Sequence, residues 1–123
     1  MWDYRAKCKR VLDGDTLILL IDQGLSSRQQ ESIRLLNVSA PEMSQPGGID
    51  TRLFVMNWLE HWNLSLLEWP LYVVTEKNTN IEPDEKRTFT RYVAKVYDIN
   101  KKSCLNDDIN AFLASHPEWG SGM

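Results

Sequence analysis

Short runs of alternating apolar and polar residues dominate the first third of the chain. Residues 4–11 alternate loosely and end at Asp-Gly-Asp-Thr, residues 13–16, which is a strong turn signal. Residues 17–21 form an apolar run directly after this turn, so the two runs predict a β-hairpin. Residues 25–30 are polar and predict a connection, and residues 33–38 predict a third strand that ends before a proline. The three strands are expected to form an antiparallel meander.

The pattern then changes to a helical period. A loop containing proline and glycine, residues 43–48, leads to Asp50 or Thr51, either of which is predicted to cap a helix. Pro70 closes the segment that follows this helix. The apolar positions of the predicted helix cover a broad face, and they are Leu53, Phe54, Met56, Trp58, Leu59 and Trp62.

Two further strands and a second helix complete the pattern. Residues 71–75 predict a fourth strand and residues 92–97 a fifth, which ends at Asp98. The polar residues 76–90 between them form the longest predicted loop. Residues 105–115 predict a helix that Pro117 stops, with a frayed tail after it. The residues predicted to face inward from this helix are Ile109, Phe112 and Leu113.

This order of elements, βββαββα, predicts an α+β fold. It is the order of a five-stranded OB-type Greek-key β-barrel with two helices. The 123 residues fit one domain, with a core from about residue 4 to residue 116 and a tail over 117–123. Barrels of this type often bind nucleic acid, but a fold alone does not determine function.

The charge pattern restricts any role in nucleic-acid binding to a local surface. The formal net charge is −3, so the chain as a whole does not have the composition of a general polyanion binder. Positive charge is concentrated in two stretches, one with Arg5, Lys7, Lys9 and Arg10 and the other with Lys86, Arg87, Arg91 and Lys95. A nucleic acid would therefore be held by a few placed cations.

Several features predict a reduced cytoplasmic monomer without membrane contact. No stretch approaches the roughly 20 apolar residues of a membrane helix, and no secretory signal is present. Cys8 and Cys104 lie far apart and lack metal-type spacing, which favours free thiols over a disulfide. His61 and His116 have no clustered partners and are predicted to be structural or solvent-facing.

Three polar residues in the first half of the chain are candidates for chemistry. A hairpin does not need the second acid of its turn, so Asp15 is available as a ligand for a hard cation. Arg34 alternates with Ile33 and Leu35, which places it either on a solvated face or in a pocket where its fork grips a phosphate. Glu42 follows a turn made rigid by proline, which suits a carboxylate aimed at water, but taken alone the residue is more simply explained by an ordinary surface role.

The stretch before the fifth strand carries a second group of candidates. Arg91 opens this strand and Phe89 lies two residues earlier, a pairing that suits a phosphate beside a stacked base. The alternative is an ordinary arginine on a sheet edge. Lys86, Arg87 and Phe89 are the candidate substrate-binding residues.

Three motifs in this order resemble the staphylococcal nuclease (thermonuclease) family. They are Val-Leu-Asp-Gly-Asp-Thr-Leu at 11–17, Ile-Arg-Leu-Leu-Asn-Val-Ser-Ala-Pro-Glu at 33–42 and Arg-Tyr-Val-Ala-Lys-Val-Tyr at 91–97. The resemblance extends from about residue 5 to residue 115. It implies a phosphodiesterase whose catalytic residues are Arg34, Glu42 and Arg91. It also implies Ca²⁺ bound by Asp15 with the backbone carbonyl of Ala40, and a structural role for Asn106.

The sequence departs from the family pattern at the metal site. Where the family has a second calcium-binding aspartate, this chain has Ser39, and a neutral hydroxyl is a poorer ligand for a hard dication. We therefore expect a lowered calcium affinity. Phe89 keeps a stacking ring without the hydroxyl of the family's aromatic residue, and few residues follow Ser115.

Two hypotheses follow from the residues and the resemblance. The first is that the chain is a calcium-dependent nuclease, of phage or bacterial origin, that cleaves single-stranded DNA or RNA. The second is a nuclease-like domain that binds nucleic acid or a protein partner without cleaving it. Ser39, the net charge of −3 and the short C-terminus motivate the second hypothesis.

Overall fold

A computed structural model describes residues 2–63, 69–77 and 92–122 of the chain. Its elements are β1 (Trp2–Asp13), β2 (Thr16–Gly24), β3 (Ser27–Leu35), α1 (Gly48–Asn63), β4 (Leu71–Lys77), β5 (Tyr92–Asp98), α2 (Leu105–Ala114) and a short 3-10 helix (Pro117–Gly122). The strands form a closed barrel in the order β1-β2-β3-β5-β4. The predicted α+β barrel and its βββαββα order are confirmed.

Strands β1 to β3 form the predicted antiparallel meander, and β1 also closes the barrel. The ladder between β1 and β2 runs from Arg5, opposite Asp22, to Asp13, opposite Thr16. Its register shifts twice, and such bulges bend a strand. The first part of β1 also pairs with β4, and the parallel pairing of β3 with β5 completes the ring.

The predicted connection over residues 25–30 is wrong. The turn contains only Leu25 and Ser26, both with positive φ, and β3 begins immediately afterwards at Ser27. Residues 27–30 are exposed and lie opposite β2 in a ribbon outside the core. With both faces in water, this stretch has no alternation of apolar residues from which a strand could be predicted.

The third strand also ends earlier than predicted. It stops at Leu35 instead of continuing to Val38. Asn37 adopts φ +60, which turns the chain out of the sheet. Val38 is nevertheless 2% exposed and belongs to the core, which explains why its apolar character extended the predicted strand.

The core fills the barrel and continues beneath α1. Its buried apolar side chains come from every strand and from both helices of the described chain, and they are Ala6, Val11, Leu17, Leu19, Ile21, Ile33, Leu35, Val38, Val55, Leu59, Leu71, Val73, Ala94, Val96, Leu105 and Ile109. Phe54, Trp58 and Leu113 pack against this cluster while remaining partly exposed. Burying a full aliphatic side chain stabilises a fold by about 1.5–3 kcal/mol, so this set is the main source of stability.

Two details of the predicted first helix are wrong. The helix begins at Gly48, so Thr51 lies inside its first turn, where its hydroxyl donates to Gly47 O at 2.7 Å. Leu53 and Met56 are exposed, at 48% and 39% of their surface. The buried face instead follows the four-residue spacing of Thr51, Val55 and Leu59.

The C-terminal tail is more ordered than predicted. Residues Pro117–Gly122 form a 3-10 helix instead of a frayed end. Trp119 stacks on His116, with ring centroids 4.1 Å apart and planes 11° apart, and Phe112 lies 5.5 Å from the same indole. The chain therefore folds back against α2 after Pro117.

Two further predictions concern cysteine and the membrane. Cys8 and Cys104 are both free thiols. Burial raises the pKa of the Cys8 thiol to about 11, which keeps it protonated at neutral pH. None of the helices in the described residues is long and apolar enough to cross a membrane.

Candidate functional site

The candidate site lies at the turn between β1 and β2, where three segments meet. Asp15 is in this turn, and Arg34 lies on β3 opposite Thr16 in the β2–β3 register. The Asp15 Oδ2 atom is 3.3 Å from Arg34 Nη1 and 3.4 Å from the backbone nitrogen of Ala40. The structure therefore brings together three of the residues predicted from the sequence, namely Asp15, Arg34 and Ala40.

The backbone of this turn is held on both sides. The amide of Asp15 donates to Asp13 Oδ1 at 3.0 Å, a local bond that stabilises the turn. The carbonyl of Asp15 accepts from the amide of Leu35 at 2.8 Å, which ties the turn to the end of β3. The position of the Asp15 side chain is thus set by the sheet itself.

Asp15 is buried for a carboxylate, at 8% exposure. Burial raises its pKa, and the hydrogen bond to Asp13 and the negative charge of Asp13 raise it further. The charge of Arg34 and the bond from the Thr16 hydroxyl, at 3.1 Å, oppose this shift only in part. A positive charge brought to the two carboxylates would relieve their repulsion.

Arg34 is half-buried and keeps part of its donor capacity unused within the described residues. Its side chain is 40% exposed, and besides Asp15 its Nη2 atom donates to Val38 O at 3.3 Å. An arginine carries five N–H donors in a planar fork, so these two contacts leave part of the fork for another oxygen-rich group. Of the two predicted alternatives, the side chain lies partly covered beside an acid and is not fully solvated.

Glu42 and Ser39 lie outside this contact network. Ser39 is exposed, and Glu42 is exposed directly after the buried Pro41. Within the described residues Glu42 makes no ion pair with Arg34. The backbone of Glu42 is nevertheless fixed, because its amide donates to Gln45 Oε1 at 2.9 Å.

The remaining predicted site residues lie outside the described residues. These are Lys86, Arg87, Phe89 and Arg91. Their roles stay predictions from the sequence.

Asp13 is a site residue that the sequence reasoning missed. A turn of this type accounts for an aspartate at position 13 without any further role, but the carboxyl of Asp13 also lies beside that of Asp15. The signal was present in the sequence, since two acids flank one glycine in the Asp-Gly-Asp motif.

Two neighbouring carboxylates are the acidic groups that the described residues place at this turn. Calcium takes about six to eight oxygen ligands, and its affinity rises with the number of carboxylates. Asp13 and Asp15 supply two carboxylates and Ala40 is adjacent, while Ser39, at the position expected to supply a further acid, is neutral and exposed. No group of three or more His, Cys, Asp or Glu suited to a metal occurs within residues 2–63, 69–77 and 92–122.

Gly14 joins the turn to α1 by close packing. A Cβ atom at this position would lie 2.6 Å from Thr51 Cγ2 and 2.7 Å from Ala40 Cβ. The absence of a side chain thus allows the hairpin turn, the Ala40 segment and the start of α1 to meet around Asp15.

We expect Gly14→Ala to destabilise the fold by about 1–3 kcal/mol, because overpacking forces these segments apart. Urea denaturation measures the change. Adding Thr51→Ser removes the Cγ2 atom but keeps the hydroxyl, and it is expected to recover part of the loss. An unchanged midpoint in Gly14→Ala would show that the three segments are not tightly packed.

We expect Asp15→Asn to be at least as stable as the wild type at neutral pH. Because folding raises the pKa of Asp15, the stability linked to its protonated form is present at low pH and lost as pH rises through the folded pKa. The ionised carboxylate therefore costs stability at neutral pH, and the amide removes this cost. Thermal melts between pH 3 and pH 8 test this, and a clear drop in Tm at pH 7 would contradict it.

A scan of protein-family models finds no match to this chain, and no curated protein matches its sequence.

Proposed function

We propose that this domain binds the phosphodiester backbone of a nucleic acid at the Asp15–Arg34 site and hydrolyses it with the help of Ca²⁺. The observation that carries the proposal is the half-buried ion pair between Arg34 and Asp15, at 3.3 Å. A guanidinium with free donors beside a desolvated acid suits a phosphate on one side and a hard cation on the other. The OB-like barrel supports the proposal as a fold that often presents such sites.

Each residue has a definite part in the proposed reaction. Arg34 would bind a non-bridging phosphate oxygen and stabilise the charge that collects there as the bond to the leaving oxygen breaks. Glu42 would orient the attacking water and accept its proton. Asp15, with Asp13 and the Ala40 carbonyl, would hold calcium, which when bound supplies positive charge beside the phosphate.

Recognition of phosphate alone would make the domain indifferent to the sugar and the base. Phosphate contacts position a nucleic acid but carry no sequence information. Single-stranded DNA and RNA are therefore both proposed substrates. Arg91 is proposed to hold the same phosphate together with Arg34, and Lys86, Arg87 and Phe89 are proposed to extend the contact along the strand.

A second candidate is binding without cleavage. Ser39 is neutral and exposed at the position expected to carry an acid, and in the described part of the chain no three metal-type ligands cluster. Such a domain would bind nucleic acid or a protein partner.

Cleavage of labelled single-stranded DNA and RNA, in calcium and then in chelator, separates the two candidates. We expect calcium-dependent cleavage by the wild type and a loss of about 10²- to 10⁴-fold in Glu42→Ala. Glu60→Ala is the matched control, because Glu60 is exposed on α1 away from the site. Binding without cleavage at high calcium, with Glu42→Ala indistinguishable from the wild type, would establish the second candidate.

Restoring an acid at position 39 tests the metal half of the site. We expect Ser39→Asp to lower the calcium concentration needed for half-maximal cleavage by about tenfold, because a further carboxylate raises affinity for a hard cation. Ser44→Asp places the same charge on an exposed position of the next loop and controls for a general change in charge. Equal calcium responses in the two variants would exclude position 39 as a ligand.

A further inference from the structure

Trp119 packs directly against the backbone of the loop that carries Glu42. A Cβ atom built on Gly47 would overlap the Trp119 indole at three ring atoms, Cγ, Cδ2 and Cε3. Gly47 also has φ +86, which L side chains rarely adopt. Only glycine therefore lets the loop approach the ring this closely.

The indole also belongs to a cluster of stacked aromatic rings. Trp119 lies on His116 at 4.1 Å, and Phe112 contacts both rings. Phe112 in turn stacks on Phe54 of α1 at 4.4 Å, with the planes 14° apart. His116 Nδ1 also lies 3.0 Å from Glu118 Oε2, so the 3-10 helix is tied to the end of α2.

The loop transmits this contact to Glu42 through short backbone bonds. The amide of Gln45 donates to Glu42 O at 2.9 Å, and the amide of Gly48 donates to Gln45 O at 3.0 Å. Gly47 O accepts from both the amide and the hydroxyl of Thr51, at 2.9 and 2.7 Å. A shift at Gly47 would therefore move the segment that begins at Glu42.

We infer that Trp119 is a positioning residue that clamps the 42–48 loop and so sets where the Glu42 carboxylate lies. The catalytic consequence rests on the proposed function, in which Glu42 acts on water. The clamp itself rests only on the packing of Trp119 on Gly47, and the two parts can be tested separately.

Steady-state kinetics test the catalytic part. We expect Trp119→Ala to lower kcat by about tenfold with little change in KM, because a misplaced base slows the chemical step without weakening phosphate binding. Trp119→Phe keeps a ring on Gly47 and is expected to recover most of kcat. Trp69→Ala is the matched control. The Arg28 guanidinium lies over the Trp69 ring, with Cζ 5.4 Å from the ring centroid, so this indole has its contact outside the 42–48 loop.

Amide hydrogen exchange tests the clamp without any activity. In Trp119→Ala we expect the amides of Gln45, Gly48 and Thr51 to exchange about tenfold faster, while the strand amides of the barrel keep their protection. Gly47→Ala is expected to give the same pattern, because its new methyl group displaces the ring. If neither variant changes these three amides, or if kcat falls equally in Trp69→Ala, the inference is overturned.

The two proposals fail in distinguishable ways. A wild-type protein that does not cleave refutes the proposed function, and the exchange of the loop amides then decides the clamp alone. A wild-type protein that cleaves, with unchanged kcat in Trp119→Ala despite faster loop exchange, refutes the positioning of Glu42 by Trp119.

Discussion

Replacing Arg34 with alanine is expected to slow strand cleavage by a factor of about 10² to 10³, the loss typical of removing one donor that stabilises transition-state charge. Arg34 is the only proposed phosphate ligand in the described part of the chain, and its fork is already oriented by Asp15 and Val38. Arg34→Lys keeps the charge but not the planar fork, so we expect an intermediate rate.

The same change has a second consequence that does not depend on activity. The charge of Arg34 lowers the pKa of Asp15, against the effects of burial and of Asp13. Removing the guanidinium is therefore expected to raise the pKa of Asp15 further, which carboxyl chemical shifts in an NMR titration would report.

Arg5→Ala is the matched control for Arg34→Ala. Arg5 also pairs with an aspartate, Asp22, at 2.7 Å, but at the far end of the β1–β2 ladder. Because Arg5 is exposed and the pair is screened by water, its loss is expected to change stability little and to leave cleavage unchanged. Equal cleavage by the two alanine variants would contradict the role proposed for Arg34.

Replacing Asn106 with alanine is expected to destabilise the fold by about 3 kcal/mol. This side chain is 1% exposed and joins α2 to the barrel through three bonds. Its Oδ1 accepts from the amide of Val96 at 2.9 Å, and its Nδ2 donates to Leu36 O at 2.9 Å and Ala94 O at 3.0 Å. Alanine leaves the amide of Val96 and the carbonyl of Leu36 without this partner, whereas Ala94 O still accepts from the amide of Leu36 at 2.9 Å. Each buried unsatisfied group costs about 1–3 kcal/mol.

Chemical denaturation measures this loss, and two variants define its cause. Asn110→Ala removes one exposed bond to Asn37 O, at 3.0 Å, and is expected to cost less than about 1 kcal/mol. Asn106→Asp keeps the oxygen that accepts from Val96 but replaces the amide nitrogen with a second oxygen, which would face the carbonyls of Leu36 and Ala94. It is therefore expected to destabilise the fold at least as much as alanine does. A stable Asn106→Ala variant would show that α2 is held mainly by apolar packing.

The parts of the fold that bury one apolar face were predictable from the sequence. Burial alternates along β2 and β5, which were predicted from their apolar residues, and the Asp-Gly-Asp-Thr turn lies where it was expected. The first half of β3 was not predictable, because residues 27–30 are exposed and no alternation of apolar residues marks their pairing with β2. Thr51 was not predicted as a core residue, because a threonine near the start of a helix is in sequence a typical N-cap residue.

The site was predictable only where neighbouring strands bring residues together. The hairpin and the third strand together imply that Asp15 and Arg34 lie close, and they are in contact. The packing of Trp119 on Gly47 joins residues far apart in sequence, and no periodicity signals it. The functional roles came from the resemblance to a family, and they remain predictions.

The calcium dependence of strand cleavage by the wild type and by Asp15→Asn tests the central claim most directly. The account predicts that wild-type cleavage rises with calcium and is abolished by chelator. It also predicts that Asp15→Asn, although as stable as the wild type, needs at least about tenfold more calcium for the same rate. Identical calcium curves for the two proteins, or no cleavage by the wild type at any calcium concentration, would contradict it.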